Sequence, residues 1–225
     1  MSHTTNNPPS PPQSTAHMTR YTPRTLYLTA FNTLFSALWA SVFVHVVVLI
    51  WRGEERGRIF EQTEFGVRWL QSVTVVEILH SWIGLIKSPL PTTALQVGTR
   101  IIQVWLIWHT FPLSTAASLA YPALLLAWSV ADGIRYAYLA LNMHGMAPGW
   151  LVWIRYTMFY ILYPIGIAAE WWLFYMAVEP GRKINGLIPP VFYFLLALYG
   201  PGSYKMYTYM IKQRRKTLGG KQRRS

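Results

Sequence analysis

Residues Trp150 to Val178 read WLVWIRYTMFYILYPIGIAAEWWLFYMAV, and among these 29 positions only Arg155 and Glu170 carry charge. About 20 apolar residues in a helix, rising 1.5 Å each, cross the roughly 30 Å hydrocarbon core of a bilayer. A soluble core has no need of a run this long, so the stretch predicts a membrane helix.

Five further runs of the same kind flank it: Leu26 to Trp51, Val67 to Ile86, Thr92 to Phe111, Ser114 to Asn142 and Ile188 to Ile211. Breakers fall between them, at Ser88-Pro89-Leu90-Pro91, Phe111-Pro112, Gly145 to Gly149, Glu179-Pro180-Gly181 and Pro189-Pro190. The third and fourth runs are joined so tightly that they predict a hairpin. The composition agrees, with 52% hydrophobic and 12% charged residues against roughly a quarter charged in soluble domains. The expected fold is all-α, a polytopic membrane bundle of six transmembrane helices over residues 22–211. No internal repeat is visible.

Residues 1–21, rich in Ser, Thr, Asn and Pro, lack any run able to bury surface and predict a disordered polar tail. They also lack the basic start and short apolar segment of a secretory signal. Residues 212–225 carry Lys212, Arg214, Arg215, Lys216, Lys221, Arg223 and Arg224. Much of the formal net charge of +12 therefore sits in a tail suited to anionic headgroups at a cytosolic face, and nucleic acid is not an expected partner. With six spans, eleven Lys and Arg fall on the side of the termini and six on the other, which predicts both termini in the cytosol.

The chain has no cysteine, so disulfides, thiolate metal sites and cysteine-nucleophile chemistry, phosphatases of that type included, are excluded. Its six histidines, at 3, 17, 45, 80, 109 and 144, form no cluster of ligands spaced for a metal, and neither metal nor cofactor is expected. Among the charged and titratable groups inside the spans are Glu77, His80, Asp132, Arg135, Arg155 and Glu170. Such groups face the bundle interior and mark a functional site by default. Two plainer readings stand beside that one. Asp132 and Arg135, one turn apart, can neutralise each other, and His80, which shares a face with Glu77 and Ser81, can be a hydrogen-bonded interior residue.

Within the fifth run, Tyr156, Tyr163 and Glu170 are spaced by seven, so they line one helical stripe, with Tyr160 beside them. Two turns, roughly 10 Å, separate Tyr163 from Glu170, and Pro164 and Gly166 would bend the helix between them. Apolar surroundings favour the neutral form of a carboxyl, which suits a general acid or base near neutral pH. Tyrosine adds a phenol able to donate or relay a proton. Membrane tyrosines also serve as packing or interface residues, but a lone buried glutamate is costly as filler.

These residues resemble the 3-hydroxyacyl-CoA dehydratases of very-long-chain fatty acid elongation, also called protein tyrosine phosphatase-like proteins. The resemblance rests on Tyr27-Leu28 with Asn32, on Glu77-Ile78-Leu79-His80-Ser81 running to Gly84-Leu85-Ile86-Lys87-Ser88-Pro89, and on Leu95-Gln96-Val97 with Arg100. It continues through Ile134-Arg135-Tyr136 and Arg155-Tyr156 to Leu162-Tyr163-Pro164-Ile165-Gly166 and Glu170. Asp132-Gly133 departs from the family's usual Glu-Ile, and Phe31 stands where the family often has tyrosine.

The resemblance implies a six-helix enzyme of the endoplasmic reticulum membrane that removes water from (3R)-3-hydroxyacyl-CoA to give trans-2-enoyl-CoA. It makes Tyr163 and Glu170 the catalytic pair, and it implies the condensing enzyme, ketoreductase and enoyl reductase of elongation as partners. The acyl chain would lie among the helices, in contact with membrane lipid. The coenzyme phosphates would sit at the cytosolic face near Lys87, Arg100 or the tail, with Arg155 and Arg135 near the thioester or pantetheine arm. Tyr156, Tyr160, His80 and Glu77 complete the expected substrate-binding set. Lys221-Gln222-Arg223-Arg224-Ser225 comes close to a dilysine retrieval signal, with Arg223 in place of the second lysine. The competing readings are a non-catalytic scaffold of the elongation machinery and a small transporter, although transporters often show inverted repeats.

Overall fold

In the computed structural model of the chain, which describes residues 22–86 and 88–222, every regular element is a helix. The expected polar tail at residues 1–21 lies outside the described residues. Helix α1 (Pro23–Trp51) starts where Thr22 Oγ1 accepts the Thr25 N–H at 3.2 Å and Pro23 presets the first turn. It buries Leu28, Asn32, Phe35, Trp39, Val46 and Leu49 along one stripe while Leu34, Leu38, Val44, Val47 and Ile50 stay exposed. A helix apolar on both its packed and its open face is a membrane helix.

Helix α2 (Arg56–Val73) and the short α3 (Val76–Trp82) occupy the second expected run. The helix starts eleven residues before Val67, because the charged segment around Arg56, Arg58, Glu61 and Glu64 is amphipathic rather than apolar and was invisible to a hydropathy reading. It breaks at Thr74, whose hydroxyl donates to the Gln71 carbonyl at 2.6 Å and receives the Gln71 amide at 3.1 Å. Side-chain bonds of this kind compete with the backbone ladder.

Helix α4 (Leu90–Ile102) continues into a π-helical stretch, Gln103–His109. Helices α5 (Pro112–Ala117) and α6 (Ala120–Asn142) follow and complete the expected hairpin, with Trp108 packed 5.0 Å from Tyr121 and 5.4 Å from Trp128 by ring centroids. The fifth run is divided into α7 (Gly149–Arg155) and α8 (Phe159–Ile184) by a turn at Tyr156 to Met158 that no proline or glycine marks. The last helix, α9 (Ile188–Gln222), runs past Ile211 into the basic tail.

Among the described residues, three stretches are long and apolar enough to cross a membrane: Pro23–Trp51, Ala120–Asn142 and Gly149–Ile184. α6 is the axis of the fold, flanked by α1 and α8, and α9 closes on α8. The core is aromatic, built on Phe35, Trp39, Trp108, Tyr121, Tyr136 and Phe174. At the α8–α9 junction a side chain on Gly181 would come within 2.5 Å of Ile188 Cγ2. Glycine is required there for the two helices to approach.

Candidate active site

Two polar clusters lie inside this apolar frame. In the first, α6 presents Asp132, Arg135 and Tyr136 toward α3 and α4. Arg135 donates to both oxygens of Glu77, at 2.9 and 3.0 Å, and its Nε lies 3.3 Å from Asp132 Oδ1. Tyr136 donates to Glu77, and Arg100 pairs with the other oxygen of Asp132. The expected Asp132–Arg135 pair therefore exists, but each member has a further partner on another helix. Glu77 and Asp132 are buried, so the paired geometry offsets the cost of holding their charges. His80 belongs to the edge of this cluster: its Nε2 is 2.9 Å from the Tyr27 hydroxyl and its ring meets Phe31 edge-on.

The second cluster lies on the seam between α8 and α9. Trp128 on α6 donates its indole N–H to Glu170 Oε1 at 3.0 Å, and the Tyr199 hydroxyl donates to Oε2 at 3.4 Å. Tyr163 donates its hydroxyl to the Ser203 carbonyl at 3.2 Å, and its ring lies 5.8 Å from that of Tyr207. Tyr199 and Ser203 are one turn apart on α9, so the phenol and the carboxyl of α8 both reach the same face of the same neighbouring helix. Between them Gly166 is buried, yet a Cβ built there meets nothing within 4 Å. The helix thus leaves free volume between the phenol and the acid.

The clusters meet at Trp128, whose ring lies 4.7 Å from the Arg100 guanidinium. Arg100, in the last turn of α4, is paired with Asp132 and packed on Trp128. Tyr156 leaves the stripe of Tyr163 and Glu170, because the turn after α7 rotates it against Tyr138, 6.0 Å away on α6. Tyr160 stacks on Phe159 at 4.3 Å. Arg155 ends α7 with its guanidinium 5.8 Å from the Tyr156 ring. Lys87 lies outside the described residues. A groove along α1, lined by Ala40, Val44, His45, Val48 and Arg52, shares no residue with either cluster.

Trp128, Tyr199 and Ser203 were missed from sequence. The signal available was that an indole N–H or a phenol inside a span must find an acceptor, but no periodicity names the partner. Fully buried Gln103, on the same helical rod as Arg100, has no hydrogen-bond partner for either amide atom among the described residues.

Comparison with known proteins agrees with the motifs. Residues 71–220 match the family described as protein tyrosine phosphatase-like protein, PTPLA. The chain is 37% identical over 185 residues to a Schizosaccharomyces pombe protein named as a probable very-long-chain (3R)-3-hydroxyacyl-CoA dehydratase, covering 78% of this chain and 88% of that one. It is 36% identical over 195 residues to the Caenorhabditis elegans very-long-chain (3R)-3-hydroxyacyl-CoA dehydratase hpo-8, covering 80% and 88%. The Arabidopsis thaliana dehydratase PASTICCINO 2 is 33% identical over 179 residues, covering 73% and 80%. No solved structure matches the chain at a significant level. With a family match across most of its length and relatives this similar over nearly their whole extent, the chain belongs to the protein tyrosine phosphatase-like (PTPLA) family.

Proposed function

We propose that this protein is a very-long-chain (3R)-3-hydroxyacyl-CoA dehydratase, a hydro-lyase of fatty acid elongation, in which Tyr163 and Glu170 carry the proton transfers. The observation that supports the pair is its setting: both side chains project onto one face of α9, with the unfilled volume at Gly166 between them. Elimination breaks the C2–H and C3–O bonds, forms the C2=C3 double bond and releases water, with no net change of oxidation state. It needs a base at C2 and an acid at the departing hydroxyl. Glu170 exchanges the proton, and Tyr163 acts with it as donor or relay.

The reading extends to the whole chain. On this reading the chain spans the endoplasmic reticulum membrane six times with both termini in the cytosol, and the eleven-to-six bias of Lys and Arg supports it. The acyl chain lies among the helices, and the other elongation enzymes are the expected partners. Purified Tyr163→Phe and Glu170→Gln variants test the pair. Both should fold as wild type and lose at least about a hundredfold in turnover of (3R)-3-hydroxyacyl-CoA. Wild-type rates in folded protein would refute it.

A further inference from the structure

The coenzyme's phosphates need a cationic receptor, and Arg155 and Arg214 are two of the arginines with no carboxylate partner among the described residues. Arg155, partly buried at the end of α7, has the Tyr156 ring beside it but no hydrogen bond or ion pair among the described residues. Its charged neighbours are Arg135 and Asp132, and the Asp132 carboxylate is already paired with Arg135 and Arg100. Arg135 also pairs with Glu77, and Glu170 lies across Trp128 from Arg100, so of Arg100, Arg135 and Arg155 it is Arg155 that has no ion-paired carboxylate among the described residues. A partly desolvated guanidinium without a carboxylate bonded to it is costly unless an anion completes it.

On the other side of the same turn, Arg214 of α9 donates Nε to Thr157 Oγ1 at 3.3 Å, with its guanidinium 5.6 Å from the Tyr160 ring. It too has no carboxylate partner among the described residues. Arg155 and Arg214 thus flank the Tyr156–Met158 turn through which α7 leads into the catalytic helix. Arg155 precedes Tyr163 by eight residues and Glu170 by 15, an axial distance of about 22 Å to the carboxyl at a helical rise. That separation matches an extended pantetheine arm joining a thioester to a diphosphate.

We propose that Arg155 and Arg214 form the receptor for the phosphates of coenzyme A, so that the pantetheine arm runs down α8 from the turn to Tyr163 and Glu170. This rests on the dehydratase reading and adds the anchor of its substrate. Guanidinium groups suit the role because they bind phosphate oxygens through paired N–H donors and keep their charge.

The test compares two substrates with the same acyl chain, a (3R)-3-hydroxyacyl-CoA and the corresponding pantetheine thioester, which lacks the phosphates. Wild type, Arg155→Gln and Arg214→Gln are assayed in phosphatidylcholine nanodiscs. Each substitution should raise KM for the CoA thioester about tenfold, the loss expected for one charge-assisted contact. It should leave kcat, and KM for the pantetheine thioester, within about twofold of wild type. Unchanged KM for the CoA thioester in both variants overturns the assignment, as does an equal rise on both thioesters. Should Arg155→Gln fail to fold, Arg214 on the outer side of the turn gives the same comparison. An anionic lipid phosphate is the other source of this chemistry, and a defect seen only when phosphatidylglycerol is added overturns the coenzyme assignment. Failure of the dehydratase reading is separate and visible in the same assay, as a wild-type protein that dehydrates neither thioester.

Discussion

Replacing Trp128 by Phe removes one atom group of consequence, the indole N–H that donates to Glu170 Oε1 at 3.0 Å, and keeps a ring for Arg100 and Trp108 to pack against. A hydrogen bond to a charged acceptor contributes about 1.5–3 kcal/mol, equivalent to roughly ten- to hundredfold in rate at about 1.4 kcal/mol per decade. The remaining donor, Tyr199, is 3.4 Å from the other oxygen, near the limit of a hydrogen bond, so it holds the carboxyl only weakly by itself. Turnover of (3R)-3-hydroxyacyl-CoA should therefore fall about ten- to hundredfold, with KM unchanged because the indole is not aimed at the coenzyme. Loss of part of a buried ring costs stability on the order of 1–2 kcal/mol. The assay is kcat and KM of the purified protein, read beside thermal unfolding by circular dichroism. Wild-type kcat in folded Trp128→Phe would refute the claim that this bond sets the reactive position of Glu170.

Glu77→Gln leaves Arg135 without its bidentate partner and Tyr136 without a charged acceptor, at a cost of about 3 kcal/mol; thermal unfolding in detergent should show it, and an unchanged midpoint would contradict the network. Gly166→Ala should fold, since nothing lies within 4 Å of its built Cβ, but should lower kcat/KM at least about tenfold by occupying the space between Tyr163 and Glu170; wild-type kcat/KM would mean that the substrate lies elsewhere. Gln103→Leu removes two unpartnered buried polar atoms, each costing about 1–3 kcal/mol, so the unfolding midpoint should hold or rise; a fall in kcat/KM without loss of stability would identify the amide as a substrate contact.

How far the sequence carried can be judged residue by residue. The α-class, α1 and the breakers at Pro89, Pro112 and Gly145 follow from local chemistry: helix length, missing N–H groups and turn-forming residues. The spacing of seven between Tyr163 and Glu170 likewise survives folding, because both sit in one helix. Tyr156 illustrates the limit, since it was counted on that stripe and is removed by a turn without a sequence marker. Long-range partners were invisible. Arg135 was matched to Asp132 from their spacing, but the bidentate partner is Glu77, 58 residues away. Trp128 reaches Glu170 across 42 residues. Helical periodicity gives the direction of a side chain but does not identify the helix it meets.

The central claim, that one substrate is held against both Tyr163 and Glu170, is tested most directly by the structure of Glu170→Gln bound to (3R)-3-hydroxyacyl-CoA. The account predicts C2 and C3 of the acyl chain on the α8–α9 seam beside Gly166, within about 3 Å hydrogen-bond reach of the Tyr163 hydroxyl and the residue 170 side chain. An acyl chain bound outside that seam, with its reacting carbons remote from both side chains, would contradict it.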